Sequence, residues 1–193
     1  MSFYTKEELS DIGFKFLGNN VLISKKSSIY NAKNISIDDN TRIDDFCILS
    51  AGEGGIEIGK YVHIACFSSL IGKSKITMKD YSGISSRVSV YSSSDNYDGE
   101  YMTNPCLPDT LTNTIHKDVI IGKHVVIGSN SVVLPGVILC DGCSVGAMSL
   151  VNKSIDGPYV MAGIPIKKIK ERKSNIFILE KKHLEYEQNT NQQ

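Results

Sequence analysis

An aliphatic residue returning at every sixth position constrains this chain more than any other feature. From Ile121 to Ser154 the sequence reads IGKHVV-IGSNSV-VLPGVI-LCDGCS-VGAMSL-VNKS, with Ile121, Ile127, Val133, Leu139, Val145 and Val151 in step. A small or β-branched residue stands four places later, at Val125, Ser131, Val137, Cys143 and Ser149, and Gly122, Gly128 and Gly146 directly follow an aliphatic. A helix repeats every 3.6 residues and a strand every 2, so a period of six fits neither. It fits a coil of three short flat sides joined by tight corners, each side turning one aliphatic and one small residue inward. Three sixes make one turn, so Ile121 to Leu139 closes a complete rung.

The same beat runs back toward the N-terminus through Val90, Ile84, Met78, Leu70, Ile64, Ile58, Leu49, Ile43, Ile37, Ile29 and Ile23. Three joints are stretched, at Asn34–Ser36, Gly54–Glu57 and Lys75–Thr77, and each keeps an extra inward aliphatic two places early (Ile35, Ile56, Ile76). Val119 does the same before Ile121. Between Val90 and Ile121 the excess is thrown out as a loop, Asp95–Asp118. Loops of that length are functional or disordered, and Tyr97, Tyr101, Pro105 and Pro108 favour a packed, ordered one. Thr5-x-x-Glu8 is a capping box for a short helix stopped at Gly13, a plug for the open end of the coil. After Ser154 the beat is broken by Pro158, Gly163 and Pro165. An amphipathic helix is expected around Ile176–Tyr186, then a frayed polar tail, NTNQQ. The reading is a single domain of 193 residues: a cap over 1–20, the coil over 21–156 and a C-terminal segment over 157–193.

Composition narrows the function classes. Lys and Arg number 21, as do Asp and Glu; with no net charge and no large basic block, nucleic acid is not an expected partner. No apolar run is long enough for a membrane span, and MSFYTKEELS lacks the regions of a signal peptide, so a cytoplasmic protein without a membrane partner is expected. The odd set Cys47, Cys66, Cys106, Cys140 and Cys143 argues against a disulfide framework. Cys140-x-x-Cys143 invites a metal reading, but Cys143 holds the inward small position and no second pair stands at ligand spacing. Core packing is the better account, and no metal is expected.

Periodicity gives a triangular parallel solenoid but not its hand, and the general crossover rule favours right-handed. The long run of hexads, the segment IGSNSVVLPGV and the closing AGIPIKKIK resemble the left-handed β-helix acyltransferases, the hexapeptide-repeat family, over about residues 15–170. The resemblance implies an all-β solenoid, a left-handed parallel β-helix. The short N-terminal helix and the loop SVYSSSDNYDGEYMTNP resemble one branch, the sugar acetyltransferases of surface-polysaccharide clusters, and within it the enzymes that N-acetylate dTDP-4-amino-4,6-dideoxy-D-glucose. That branch implies a homotrimer, with acetyl-CoA in the groove between neighbouring coils and a nucleotide-sugar acceptor. The expected reaction is direct attack of the sugar amine on the thioester. No covalent intermediate is expected, because no cysteine has an activating partner in the sequence. The alternative is O-acetylation of a surface polysaccharide or free sugar.

Candidate residues follow from what each partner needs. Pantetheine is extended and amide-bearing, so it wants exposed backbone donors and little side-chain bulk. Gly128, Ser129, Gly146 and Ala147, at successive corners, offer that, with Lys153, Lys167 and Lys168 for the phosphates. A backbone N–H is expected to stabilise the oxyanion, and the amine must shed a proton. In bacillosamine-type relatives a histidine does this in the rung before the equivalent of Ile84, where this chain has Lys73-Ser74. In galactoside-type relatives it lies on the loop, where this chain reads Ser93-Ser94-Asp95-Asn96-Tyr97. The customary base is therefore missing from both places. Asp95 is the first choice to orient the amine or take its proton, and His116, at the end of the loop, is the second. Arg87, Tyr91, Ser93 and Asn96 are the substrate candidates, with Phe46 and Phe67 for stacking on the nucleotide. His124 reads as an outward, solvated residue, His63 as a corner residue and His183 as part of the tail. His63, His116 and His124 match the number but not the spacing of the three-histidine zinc site of the γ-class carbonic anhydrases, which share the implied architecture.

Overall fold

The computed structural model describes residues 2–190. Its body is a left-handed parallel β-helix of about seven turns, and each turn lays one short strand on each of three faces. The first face stacks Phe16–Leu17, Ile35–Ile37, Ile56–Ile58, Ile76–Met78, Val119–Ile121 and Ile138–Leu139. The second runs from Leu22–Ile23 through Arg42–Ile43, His63–Ile64, Gly83–Ile84, Val126–Ile127 and Ser144–Val145 to Tyr159–Ala162, where Lys167–Glu171 closes it antiparallel. The third stacks Ser28–Tyr30, Ile48–Ala51, Ser69–Gly72, Ser89–Tyr91, Val132–Val133 and Leu150–Val151. Corner one joins the first face to the second, corner two the second to the third, and corner three returns the chain to the first.

The hexad explains the core. All the in-step aliphatics except Ile29, which is half-buried, are out of solvent, and the extra residues Ile35, Ile56, Ile76 and Val119 are at most 1% exposed. Each such side chain stabilises the coil by roughly 1.5–3 kcal/mol of apolar burial. The small inward positions turn the corners, and a hydroxyl there can be satisfied from the next coil: Ser131 Oγ donates to the Gly146 carbonyl at 3.2 Å and accepts from Ser149 N–H at 3.2 Å, whereas Ser82 Oγ is buried without a partner. All the stretched joints, including the long loop, fall at corner three, so the other two corners stack without interruption.

Backbone strain at those two corners sits on residues other than glycine, apart from Gly142 in the coil after His124 at corner one. At corner one the left-handed position is held by Asn20, Asn40, Tyr61, Tyr81 and His124, and at corner two by Phe46, Phe67, Arg87, Asn130 and Met148. A residue with a Cβ costs roughly 1–2 kcal/mol there. Stacking offsets the cost, because the coil spacing of about 4.8 Å matches ring contact: Tyr61 on Tyr81 and Tyr81 on His124 are each 5.0 Å apart, as are Phe46 and Phe67. Gly128 answers a different need from the turn geometry expected of it. A Cβ there would lie 2.4 Å from the backbone nitrogen of Ala147.

Helix α1 (Lys6–Ile12) has the capping box, with Thr5 and Glu8 exchanging hydrogen bonds and Gly13 left-handed at its end, and it buries Leu9 in the core. Helix α2 (Asn175–Thr190) is longer at both ends than the amphipathic pattern suggests. It packs along corner one and corrects two sequence expectations. His124 is not a solvated residue: its side chain is 11% exposed, donates from Nε2 to Glu180 at 2.7 Å and meets the Phe177 ring edge-on. His183 is no tail residue either, standing edge-on to Tyr61 and Tyr81, while Glu187 accepts from the Tyr61 hydroxyl. Burial pushes the Tyr61 hydroxyl up to about 12, with that carboxylate beside it. Of the expected frayed tail, Asn189 and Thr190 belong to α2, and residues 191–193 lie outside the described residues. Among the described residues no helix is long and apolar enough to cross a membrane.

Candidate functional site

The long loop leaves corner three through a narrow neck, Ser93–Ser94 paired antiparallel with Ile115–His116. A short 3-10 turn at Asp109–Leu111 and a bridge between Met102 and Thr112 shape it further out. Tyr97 contributes nothing to that order: it is 85% exposed. Where neck meets coil, a hollow of 770 Å³ is lined by Tyr91, Ser93, Asp95 and His116, with Lys73 beneath and Pro105 and Thr112–Thr114 across. Four of the six residues expected to serve substrate or catalysis thus share one cavity.

The neck fixes its own side chains. Ser93 Oγ accepts the Lys73 N–H at 2.8 Å, so its hydroxyl proton is available to His116 Nδ1, also at 2.8 Å. With the hydroxyl donating, Nδ1 accepts and the ring proton stands on Nε2; in the other tautomer the second lone pair of Ser93 Oγ accepts from Nδ1–H. Asp118 accepts the Lys75 N–H at 3.0 Å and ties the end of the loop to the coil below. Arg87 and Asn96 are not part of this arrangement. Arg87 stands at corner two with its guanidinium 5.0 Å above the Phe67 ring, and the Asn96 amide is bonded to Asp98 at 2.7 Å.

The residues expected to hold the cofactor form a second region. Gly128 and Gly146 stack on one corner, as do Ser129 and Ala147, so the four lie in one column at corner two rather than at successive corners. Ala162 continues that column, and Lys167 pairs with Ala162 in the closing strand. Lys168 leans over the Tyr159 ring at 3.6 Å and bonds Glu171. Lys153 is placed apart, at corner three. One face separates corner two from corner three, three or four residues wide at about 3.3 Å each, or roughly 10–13 Å.

Sequence reasoning missed a cluster beside corner two. His63 lies on a strand of the second face, not at a corner, with its outer ring edge in solvent. Its Nε2 donates to the buried carboxylate of Asp44 at 2.9 Å, and Arg42 Nε donates to the same carboxylate at 2.7 Å. Burial pushes the Asp44 carboxyl up, but the bonds from Arg42 and His63 outweigh it and hold it below the usual range. The signal was available: with consecutive coils written beneath one another, His63 falls on Arg42, two places before Asp44.

Metal chemistry gains no support from the geometry. His63, His116 and His124 lie on the second face, at the loop neck and at corner one, and no group of three or more possible ligands occurs among the described residues. Burial pushes the Cys143 thiol up to about 12 and the Cys47 thiol up to about 11, as inert core residues require.

Comparison with known proteins adds four likenesses. The family model described as bacterial transferase hexapeptide (six repeats) matches residues 115–153. The dTDP-4-amino-4,6-dideoxy-D-glucose acyltransferase of Escherichia coli is 52% identical over 180 residues, covering 93% of this chain and 94% of that protein. AntD, an N-acyltransferase from Bacillus cereus solved with dTDP and 3-hydroxybutyryl-CoA, superposes with a TM-score of 0.92 at 46% identity, covering 97% of this chain and 98% of its own. A variant of AntD solved with dTDP-4-amino-4,6-dideoxyglucose and coenzyme A gives a TM-score of 0.93 at 46% identity, over 96% of this chain and 98% of that one.

Proposed function

Because this chain belongs to the hexapeptide-repeat acyltransferases, in the branch of the dTDP-4-amino-4,6-dideoxyglucose acyltransferases, we propose that it transfers an acyl group from coenzyme A to the 4-amino group of dTDP-4-amino-4,6-dideoxy-D-glucose. The observation that carries the reading is the hollow at the neck of the loop, where Tyr91, Ser93, Asp95 and His116 converge. The Asp95 carboxylate can accept a hydrogen bond from the amine, aim its lone pair at the thioester carbon and take up the proton released as the C–N bond forms. The tetrahedral oxyanion falls to a backbone N–H of the column at corner two, and collapse expels the coenzyme A thiolate. Lys167 and Lys168, at the end of that column, are suited to the coenzyme phosphates, and Lys153 is too far removed to join them in the same copy.

Within one copy, the column at corner two and the Asp95 hollow at corner three are a whole face apart. A homotrimer resolves this: the loop of one coil reaches the column of the next, and each seam holds one site. In this reading Arg87, Phe46 and Phe67 serve the nucleotide from the neighbouring copy, and Asn96 plays no part in binding. The whole chain acts as one solenoid domain, in the cytoplasm, where coenzyme A thioesters and nucleotide sugars are made and where thiols stay reduced. All five cysteines are free, in keeping with such a compartment.

The test is release of free thiol when the purified protein is mixed with a coenzyme A thioester and dTDP-4-amino-4,6-dideoxyglucose. Turnover is expected with the amino sugar and not with the analogue bearing a hydroxyl at C4. Turnover of the hydroxyl analogue alone would point to O-acylation, and no thiol release with any nucleotide-linked amino sugar would remove the proposal.

A further inference from the structure

The second face carries a gap that the reaction as described does not use. The outward position of this face is filled in successive coils by Leu22, Arg42, His63, Gly83, Val126, Ser144 and Val160, and Gly83 alone presents no side chain. The result is an open-sided hollow of 290 Å³, walled by His63, Val126, Ser85, Ser86 and Ser129. Glycine is not needed there for folding. The residue lies in a strand, and a Cβ built on it would approach only the His63 carbonyl oxygen, at 3.5 Å, an ordinary contact. Elsewhere in the same coils Gly59, Gly122 and Gly128 would drive a Cβ to 2.4–2.7 Å from a neighbour. What Gly83 provides is space.

That space adjoins the cofactor column. Ser129 lines both, and Ser85, Gly128, Gly146 and Ala162 are stacked in successive coils. Three coil steps separate Ala162 from Ser85, about 14 Å at the spacing of parallel strands. A coenzyme with its phosphates near Lys167 and its arm along the column therefore presents its thioester end at the level of Ser85.

We infer that the hollow opened by Gly83 receives the acyl group of the thioester, with Gly83 setting the chain length admitted and His63 selecting a hydroxyl on the chain. This rests on the acyl-transfer reading and deepens it. The volume is about ten times the share of one water in the liquid, far more than the three heavy atoms of an acetyl group fill. The walls are apolar at Val126 and polar at the serines and His63. The ionised Asp44 carboxylate only accepts hydrogen bonds, so it fixes the His63 proton on Nε2 and leaves Nδ1 as an acceptor. An acyl hydroxyl can donate to that nitrogen, and a plain alkyl chain leaves it unpaired. The group that fits is a hydroxyacyl chain longer than acetyl, and four-carbon thioesters with and without the hydroxyl are the probes that separate the two demands.

The experiment compares kcat/KM for acetyl-, butyryl- and 3-hydroxybutyryl-CoA in the parent chain, Gly83→Val, Gly83→Ala and His63→Leu, with melting temperatures as a control on folding. Val126 holds the same position one coil on, so valine is compatible with the strand, and Gly83→Ala serves if it is not. The parent is expected to use 3-hydroxybutyryl-CoA at least as well as butyryl-CoA. Gly83→Val should lower the ratio of 3-hydroxybutyryl to acetyl turnover tenfold or more, Gly83→Ala by a smaller factor, and His63→Leu should shift the 3-hydroxybutyryl to butyryl ratio toward butyryl. Ratios unchanged in all three variants, with acetyl transfer intact, overturn the acyl hollow and leave the enzyme reading standing. No transfer from any thioester overturns the enzyme reading and the hollow with it.

Discussion

Corner one and corner two solve the same backbone problem in the same way and end in opposite circumstances. Each stacks flat side chains at a left-handed position, Tyr61, Tyr81 and His124 on one and Phe46, Phe67 and Arg87 on the other. At corner one the chain covers its own ladder with α2, through Phe177, Glu180, His183 and Glu187. At corner two Phe46 and Phe67 remain half-exposed, at 48% and 49%. A solenoid offers three equivalent edges, and the difference lies in what each is left to do. The covered edge fastens the C-terminus, and the bare one, flanked by the glycine column, is the edge offered to ligand and neighbour in the proposed reaction.

Four substitutions break or sharpen that contrast. The largest effect is expected away from both ladders, at the loop hollow that must meet corner two. Asp95→Asn should lower kcat by on the order of 10²–10³, with the thermal midpoint unchanged, since the residue makes no core contact; steady-state rates beside a melting curve read both. Next comes Gly128→Ala at corner two, where the added Cβ meets the Ala147 backbone at 2.4 Å. It should destabilise by about 1–3 kcal/mol of overpacking and weaken coenzyme binding, visible by denaturant melts and calorimetric titration.

At corner one, Glu180→Ala should cost about 1.5 kcal/mol and free α2, raising hydrogen exchange over 175–190 without a matching change in turnover. This edge also carries an acid dependence. Burial pushes the Glu180 carboxyl up, yet hydrogen bonds from Lys123 and His124 prevail and hold it below its ordinary value of 4.5. A lowered carboxyl pKa contributes stability that is complete above the unfolded value and is lost as pH falls through the folded one. Protection of α2 should therefore drop below about pH 4.5 in the parent, and that step should be missing from the variant. The smallest effect belongs to Phe67→Leu at the bare edge, about 0.5–1 kcal/mol for the lost stacking, read from the same melts. Were it to cost as much as Glu180→Ala, the two edges would not differ as described.

Much of the fold could be read from the sequence because the solenoid writes its core at a fixed short period. Ile121, Ile127 and Val133 declare the three sides within one turn, and the extra Ile35, Ile56 and Ile76 mark the stretched joints correctly. The loop hollow was partly legible for a local reason: Tyr91, Ser93 and Asp95 are near neighbours in the chain. The ladders were not, since Tyr61, Tyr81 and His124 meet only through stacking across coils, and the long loop breaks their spacing. His124 looked solvated because nothing nearby in sequence announces that α2 returns to corner one. The Gly83 gap was invisible for a related reason, as an absent side chain matters only when its stacked neighbours His63 and Val126 are known.

Subunit mixing tests the central claim most directly. Asp95→Asn removes the amine contact at the loop, and Ser129→Trp blocks the cofactor column at corner two. Each is expected to be inactive alone, and if every site is shared between two copies, co-refolding equal amounts should rebuild intact seams. By the symmetry of random trimers, roughly a quarter of the parent activity should return. Mixed assemblies that form but stay inactive would contradict a site shared across the seam.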